Sequence, residues 1–203
     1  MTLLAMLRHG ETQWSRERRI QGRADTPLCE EGRTRLCGFT LPDEWRTARV
    51  VSSPLKRCLE TASALGLARV ESDARLVEMR WGDWEGRRLD ELRTEFGESM
   101  RNNEALGLDF TPPGGESPRK VFERVRGLLA QVAADREATL AITHRGVIRA
   151  VFANACGWDM RGRSPAKLDW SAIHIFKLAP DGMPVIHRMN VEMPPKNAGE
   201  AAA

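Results

Sequence analysis

Five apolar residues in a row, Leu3-Leu4-Ala5-Met6-Leu7, run without a polar break into Arg8-His9-Gly10-Glu11-Thr12. Such a run reads as a short strand covered on both faces, the kind found inside a sheet flanked by helices. In open α/β sheets ligands bind at the carboxyl ends of the strands, so Arg8 and His9 are expected at the rim of a crevice. Gly10 is expected to let the backbone turn there. Thr12 offers a hydroxyl and an amide N–H where a helix begins, an arrangement suited to an anion. A guanidinium, an imidazole and free amides together fit phosphate; taken alone, Arg8-His9 fits a polar strand end equally well.

The same grammar recurs twice. Val50-Val51 reads as a strand, Ser53 as an N-cap and Pro54 as the first helical residue, followed by an apolar stripe of Leu55, Cys58, Leu59, Ala62 and Leu65. Arg57 lies off that stripe in the first turn, where it either reaches back over the strand ends or stays a solvated charge. Thr139 to Thr143 is another buried strand, ending in His144-Arg145-Gly146 before a helical Val147 to Ala155. Both strand-terminal histidines have glycine close behind: Gly10 next to His9, and Gly146 two residues after His144.

Between these corners, a loop over Gln21 to Leu28 is expected to overhang the crevice, followed by a helix around Cys29 to Phe39. Val70-Glu71 reads as a short strand. Beyond it, Glu78 precedes Trp81 and Trp84 in a polar, glycine-bearing stretch. Aromatic walls beside a carboxylate raise its pKa and suit it to general acid work, although the same rings serve equally as loop anchors. Asp90 to Leu106 reads as one or two surface helices, and Thr111 to Glu116 as a break. Ser117-Pro118 opens a strong helix running to Asp135, and Ser171 to Leu178 with Pro184 to Met189 form a hairpin around Asp181-Gly182 at the sheet edge.

At 203 residues, 41% hydrophobic and 29% charged, the chain is sized for one domain, expected over 1–193, with a disordered tail over 194–203. No apolar run approaches the roughly 20 residues that span a bilayer, and an opening strand leaves no room for a signal peptide; a cytoplasmic location is expected. Cys29, Cys37, Cys58 and Cys156 have no C-x-x-C spacing, and the four histidines have no ligand spacing, so neither a metal nor a disulfide framework is expected. Of 31 Lys and Arg residues only five are lysine, but 28 acidic residues interleave with them and no basic run alternates with aromatics. A nucleic-acid partner is therefore not expected.

Four groups of residues, in order, resemble the histidine phosphatase superfamily, with its phosphoglycerate mutase-like fold. They are Arg8-His9-Gly10-Glu11-Thr12, Ser53 with Arg57 and Thr61-Ala62, Glu78 with Gly82-Asp83-Trp84-Glu85-Gly86, and His144 with Gly146-Val147-Ile148-Arg149-Ala150. The resemblance covers roughly residues 3 to 180. It implies a three-layer α/β/α fold with a mostly parallel central sheet and an antiparallel edge hairpin. It implies His9 as the nucleophile, Arg8, Arg57 and His144 as the clamp on the phosphate oxygens, and Glu78 as the proton donor that later activates water. Thr12, Gln21 and Gly22 follow as phosphate or substrate contacts. Two positions depart from the pattern: Ser15 stands where many members have asparagine, and Arg145 where glycine often follows the second histidine. Both are carried as substrate-binding candidates.

The expected activity is metal-independent, cofactor-free hydrolysis of a small phosphate monoester through a phosphohistidine, with a homodimer as a candidate assembly. Mutases of this family usually carry a longer segment between the Glu78 region and the second histidine, which favours a phosphatase here; mutase-type phosphoryl transfer is the alternative. Gly82-Asp83-Trp84-Glu85 and Trp170-Ser171-Ala172-Ile173 also resemble α-ribazole phosphatases. A non-catalytic binding protein on this fold is a further alternative, and the presence of Arg8, His9, Arg57, Glu78 and His144 weighs against it.

Overall fold

The computed structural model describes residues 1–196. Six strands form one sheet: β1 (Thr2–Arg8), β2 (Arg49–Ser52), β3 (Glu71–Ser72), β4 (Thr139–Thr143), β5 (Ile173–Leu178) and β6 (Pro184–Val191), in the order β3-β2-β4-β1-β5-β6. The first four in that order run parallel; β5 and β6 are antiparallel to their neighbours. The helices are α1 (Gln13–Arg16), α2 (Glu30–Cys37), α3 (Lys56–Ala64), α4 (Leu89–Glu104), α5 (Pro118–Asp135) and α6 (Arg145–Cys156).

Alternation along the central strands assigns the layers. Leu4 and Met6 of β1 and Ala141 of β4 pack with Val121, Val125, Leu129, Val147 and Val151 of α5 and α6. Ala5, Leu7, Leu140 and Ile142 face the other way, onto Leu36, Cys58 and Ala62 of α2 and α3. With both faces covered, β1 and β4 have no polar side to show, which is why their sequences are unbroken apolar runs. This is the expected three-layer α/β/α architecture.

Register fixes what meets at the carboxyl edge. Arg8 pairs with Thr143, and the next residue, His9, donates its N–H to the Thr143 carbonyl at 2.9 Å. Ser52 pairs with Ile142, and Ser53 donates to the Ile142 carbonyl at 2.9 Å. The three strand-to-helix corners, at His9, Ser53 and His144, therefore stand side by side.

Some local expectations are corrected. α3 begins at Lys56 with Leu55 as N-cap, not at Pro54 after a Ser53 cap; Asp25 Oδ1 accepts the Lys56 N–H at 2.7 Å. The buried face of α3 is Arg57, Cys58, Thr61 and Ala62, while Leu59 is 40% exposed. The helix is turned so that its polar residues face the site, because the elements packed on it there are strand ends and loops rather than a sheet face. Gly10 does not turn in the left-handed region; a side chain there would collide with Leu36 of α2. At the other end of the chain, Pro194 accepts from Thr40 N–H and Lys196 donates to the Gly38 carbonyl, so the segment expected to be disordered from residue 194 is hydrogen-bonded to the loop after α2. The rest of that expectation, for 197–203, lies outside the described residues. Among the described residues, no helix is long and apolar enough to cross a membrane.

Candidate active site

A cleft of about 1050 Å³ opens at the carboxyl edge of the sheet. Arg8, His9, Glu11, Ser15, Gln21, Gly22, Arg57, Glu78, Trp81, Arg145, Gly146, Arg149 and Trp170 are among the residues that line it. His9 is buried, at 5% exposure. Its Nδ1 lies 2.7 Å from the Gly10 carbonyl. A carbonyl oxygen only accepts, so the neutral ring carries its proton on Nδ1 and keeps the Nε2 lone pair unprotonated. Burial pushes the His9 pKa well below 6.5, and Arg8 and Arg57 push it further; the Gly10 bond opposes them. His9 is thus a neutral imidazole with an available nitrogen.

Two guanidiniums flank it. Arg57 is fully buried; its Nη1 donates to the Ala24 carbonyl at 2.7 Å and its Nη2 to the Gly22 carbonyl at 2.8 Å. The Nε atoms of Arg57 and Arg8 are buried without a hydrogen-bond partner among the described residues. An unpaired buried cationic donor is costly, and an anion in the cleft would relieve both at once. Thr61 links this pair to the nucleophile corner: its Oγ1 accepts from Gly10 N–H at 2.9 Å and donates to the Arg57 carbonyl at 2.6 Å.

His144 stands behind His9 with ring centroids 5.2 Å apart, and Nε2 of His144 shares a hydrogen bond with Ser53 Oγ at 2.8 Å. Burial holds His144 neutral by pushing its pKa well below 6.5, with Arg57 adding to the effect. The Cys58 thiol, packed 3.5 Å from Nε2, is kept protonated by burial.

Glu78 is the buried carboxylate of this group. Burial raises its pKa above 4.5, against the pull of the Met79 and Gly146 amides and of Arg57 and Arg8. Its Oε1 accepts from Met79 N–H at 2.7 Å and its Oε2 from Gly146 N–H at 3.1 Å. Of the two tryptophans expected to wall it, half-buried Trp81 lines the cleft, whereas Trp84 is buried in a separate cluster with Leu92 and Met100 and serves as a loop anchor. Glu85 faces elsewhere: its carboxylate accepts the N–H groups of Arg23, Ala24 and Trp81. It pins the loop at Gly22 to Ala24 whose carbonyls hold Arg57. Gly22 has φ +50, and a Cβ there would overlap the Glu85 carboxylate, so the loop needs glycine at that position.

Thr12 caps α1 in a reciprocal pair with Ser15: Thr12 N–H donates to Ser15 Oγ at 2.9 Å, and Ser15 N–H to Thr12 Oγ1 at 3.1 Å. The amide read from sequence as a free donor is therefore occupied. Thr12 Oγ1 also donates to Gln21 Oε1 at 2.9 Å, tying the α1 corner to the overhanging loop. Ser15 and Gln21 reach the cleft wall. Arg145 stands at the cleft with its guanidinium 5.0 Å from the centre of the Trp170 ring.

The sequence reads Ser53 as an N-cap and carries Thr61, Gly146, Arg149 and Trp170 only within motifs of a resemblance, with no part in the site assigned to any of the five. The first three could have been found by asking what a strand-end histidine or carboxylate needs for support. Trp170 carried only the resemblance of Trp170-Ser171-Ala172-Ile173, and its place at the cleft was not legible because it comes from the loop before β5.

The profile of the histidine phosphatase superfamily (branch 1) matches residues 4–192. The chain belongs to this superfamily. Phosphoglycerate mutase-like protein 4 of Arabidopsis thaliana is 31% identical over 186 residues, which cover 86% of this chain and 79% of that one. A probable phosphoglycerate mutase GpmB of Salmonella newport is 37% identical over 143 residues, covering 64% of this chain and 62% of that protein's length. Among solved structures, mycobacterial glucosyl-3-phosphoglycerate phosphatase in complex with VO3 superposes with TM-score 0.77 at 25% identity, over 95% of this chain and all of that one. Bacillus stearothermophilus YhfR superposes with TM-score 0.77 at 28% identity, over 92% and 95% of the two chains. Like the site, the fold agrees with histidine phosphatase membership, and among the described residues no three His, Cys, Asp or Glu side chains converge as metal ligands.

Proposed function

We propose that this histidine phosphatase is a metal-independent phosphomonoesterase that works through a phosphohistidine on His9. The observation that carries the reading is the committed Nδ1 of His9, which leaves Nε2 as a lone-pair donor beside two guanidiniums whose buried Nε atoms have no partner among the described residues. Nε2 attacks phosphorus, the P–O bond to the alcohol breaks, and the leaving oxygen takes a proton from Glu78. Arg8 and Arg57 balance the charge on the oxygens of the transferring group and the neutral His144 beside His9 supplies a hydrogen-bonding imidazole, which gives electrostatic stabilisation without a metal. Water then attacks the phosphohistidine, Glu78 accepts its proton, the P–N bond breaks, and inorganic phosphate leaves. Thr12, Ser15, Gln21 and Gly22 hold the α1 corner and its loop over the bound ester.

The names of the Arabidopsis and Salmonella relatives favour a second reading, mutase-type transfer in which the phosphohistidine returns its phosphoryl group to an alcohol. One assay separates them. The wild type is incubated with EDTA and either glycerol 3-phosphate or 3-phosphoglycerate, and both inorganic phosphate and 2-phosphoglycerate are followed. The phosphatase reading expects phosphate release that survives chelation and disappears in His9→Ala; formation of 2-phosphoglycerate without net phosphate release would replace it by the mutase.

A further inference from the structure

The cleft holds more positive charge than a phosphate monoester needs. Seven arginines line it against four carboxylates. Arg8 and Arg57, at its floor, suffice for a dianion. Two others lie one helical turn apart on α6, at Arg145 and Arg149, with no carboxylate partner among the described residues. Each is set against an indole: the Arg145 guanidinium lies 5.0 Å from the Trp170 ring centre, and that of half-buried Arg149 lies 5.5 Å from the Trp158 ring centre. A cation held flat against an aromatic face keeps its edge N–H groups free and loses less freedom on binding. Glu78 acts on Arg145 electrostatically, but among the described residues none of the cleft acids forms an ion pair with either arginine. Glu78 is taken by the Met79 and Gly146 amides, and Asp169 Oδ1 by Ser171. Glu11 and Glu192, which also line the cleft, make no ion pair with either among the described residues.

We propose that Arg145 and Arg149 form a second anion-binding subsite, which selects phosphomonoesters carrying a further carboxylate or phosphate. α6 begins directly after His144, so the subsite is built on the same corner as the site floor. Its distance from the phosphoryl position is set by a rigid helix and not by a loop. Trp170 and Trp158 act as positioning residues for the two guanidiniums. This rests on the cleft being the ester-binding site of the proposed phosphatase, and the test is arranged so that the two can fail separately.

Binding is measured by calorimetry in a His9→Ala background, where no turnover is involved, with two matched pairs: glycerol 3-phosphate against 3-phosphoglycerate, and fructose 6-phosphate against fructose 1,6-bisphosphate. The ester bearing the second anion should bind roughly ten- to a hundred-fold more tightly, the ordinary worth of a charge-assisted pair. Adding Arg145→Met and Arg149→Met should bring that ratio to within about three-fold of unity, and Arg145→Lys with Arg149→Lys should restore part of it. Preference in the first pair alone assigns the subsite to carboxylate, and in the second alone to phosphate. A ratio near one before the arginines are changed, or one that the double Met substitution leaves intact, overturns the proposal. Loss of the phosphate-release activity expected above, with this ratio preserved, would count against the phosphatase and for the subsite.

Discussion

The backbone N–H of Gly146 donates to Oε2 of Glu78 at 3.1 Å, and a Cβ at position 146 would overlap Oε1 of the same carboxylate. The residue two places after the second histidine thus serves the carboxylate of a different loop. It sits in the first turn of α6, where an alanine would by itself favour the helix by up to about 1 kcal/mol. Gly146→Ala should therefore leave thermal stability within about 1 kcal/mol of wild type while displacing the acid. Phosphorylation of His9 by an alkyl phosphate should slow at least roughly ten-fold, within the range a positioned acid contributes. Differential scanning calorimetry with single-turnover kinetics checks both halves; a destabilised but fully active variant would contradict the assignment.

Glu78 matters in proportion to the basicity of the leaving group. An alkoxide gains on the order of 10²–10⁴-fold from a delivered proton, whereas nitrophenolate leaves nearly unaided. In single turnover, Glu78→Gln should slow phosphoryl transfer from glycerol 3-phosphate heavily and from p-nitrophenyl phosphate far less. Glu85→Gln should show no such dependence. Its carboxylate holds the Gly22 to Ala24 loop, so its loss should raise KM for both substrates through the misplaced Arg57. A leaving-group dependence in Glu85→Gln would move the acid there.

The two shifted groups set the pH profile. Glu78 donates only while protonated, so its acid role is complete below its raised pKa and is lost as pH rises through it. His9 attacks only while neutral, and with its pKa well below 6.5 it is already neutral when pH rises past that value. For an alkyl phosphate, kcat/KM should fall on the alkaline side, and Glu78→Gln should remove that limb, while substrate ionisation affects both proteins alike. A limb near 6.5 that requires protonation to be lost from His9 would contradict the neutral nucleophile.

The corners at His9 and His144 were legible because each is a doubly covered strand that meets a helix, and that grammar is written locally in apolar runs, caps and glycine. The helix from Pro118 to Asp135 and the strand from Thr139 to Thr143 match the reading residue for residue for the same reason. Arg57 was not legible as a buried residue. An apolar stripe assumes that a helix buries its apolar face, whereas α3 buries Arg57 and Thr61 against the site and exposes Leu59. Nor could local pattern decide between Glu78 and Glu85, seven residues apart in one loop, since the choice depends on which reaches the amide of Gly146 on α6. Thr12 was read as an amide donor to an anion, yet its amide is consumed by Ser15, three residues on, a competition that only the realised cap geometry reveals.

The central claim is that Nε2 of His9 takes the phosphoryl group. The direct measurement is rapid mixing with a ³²P-labelled phosphate monoester, denaturing quench, and localisation of the label by peptide mass spectrometry. The account predicts an acid-labile, base-stable adduct on the peptide containing His9, formed within one turnover, attached at Nε2, and absent in His9→Ala. Label on any other residue, or full turnover by His9→Ala, would contradict it.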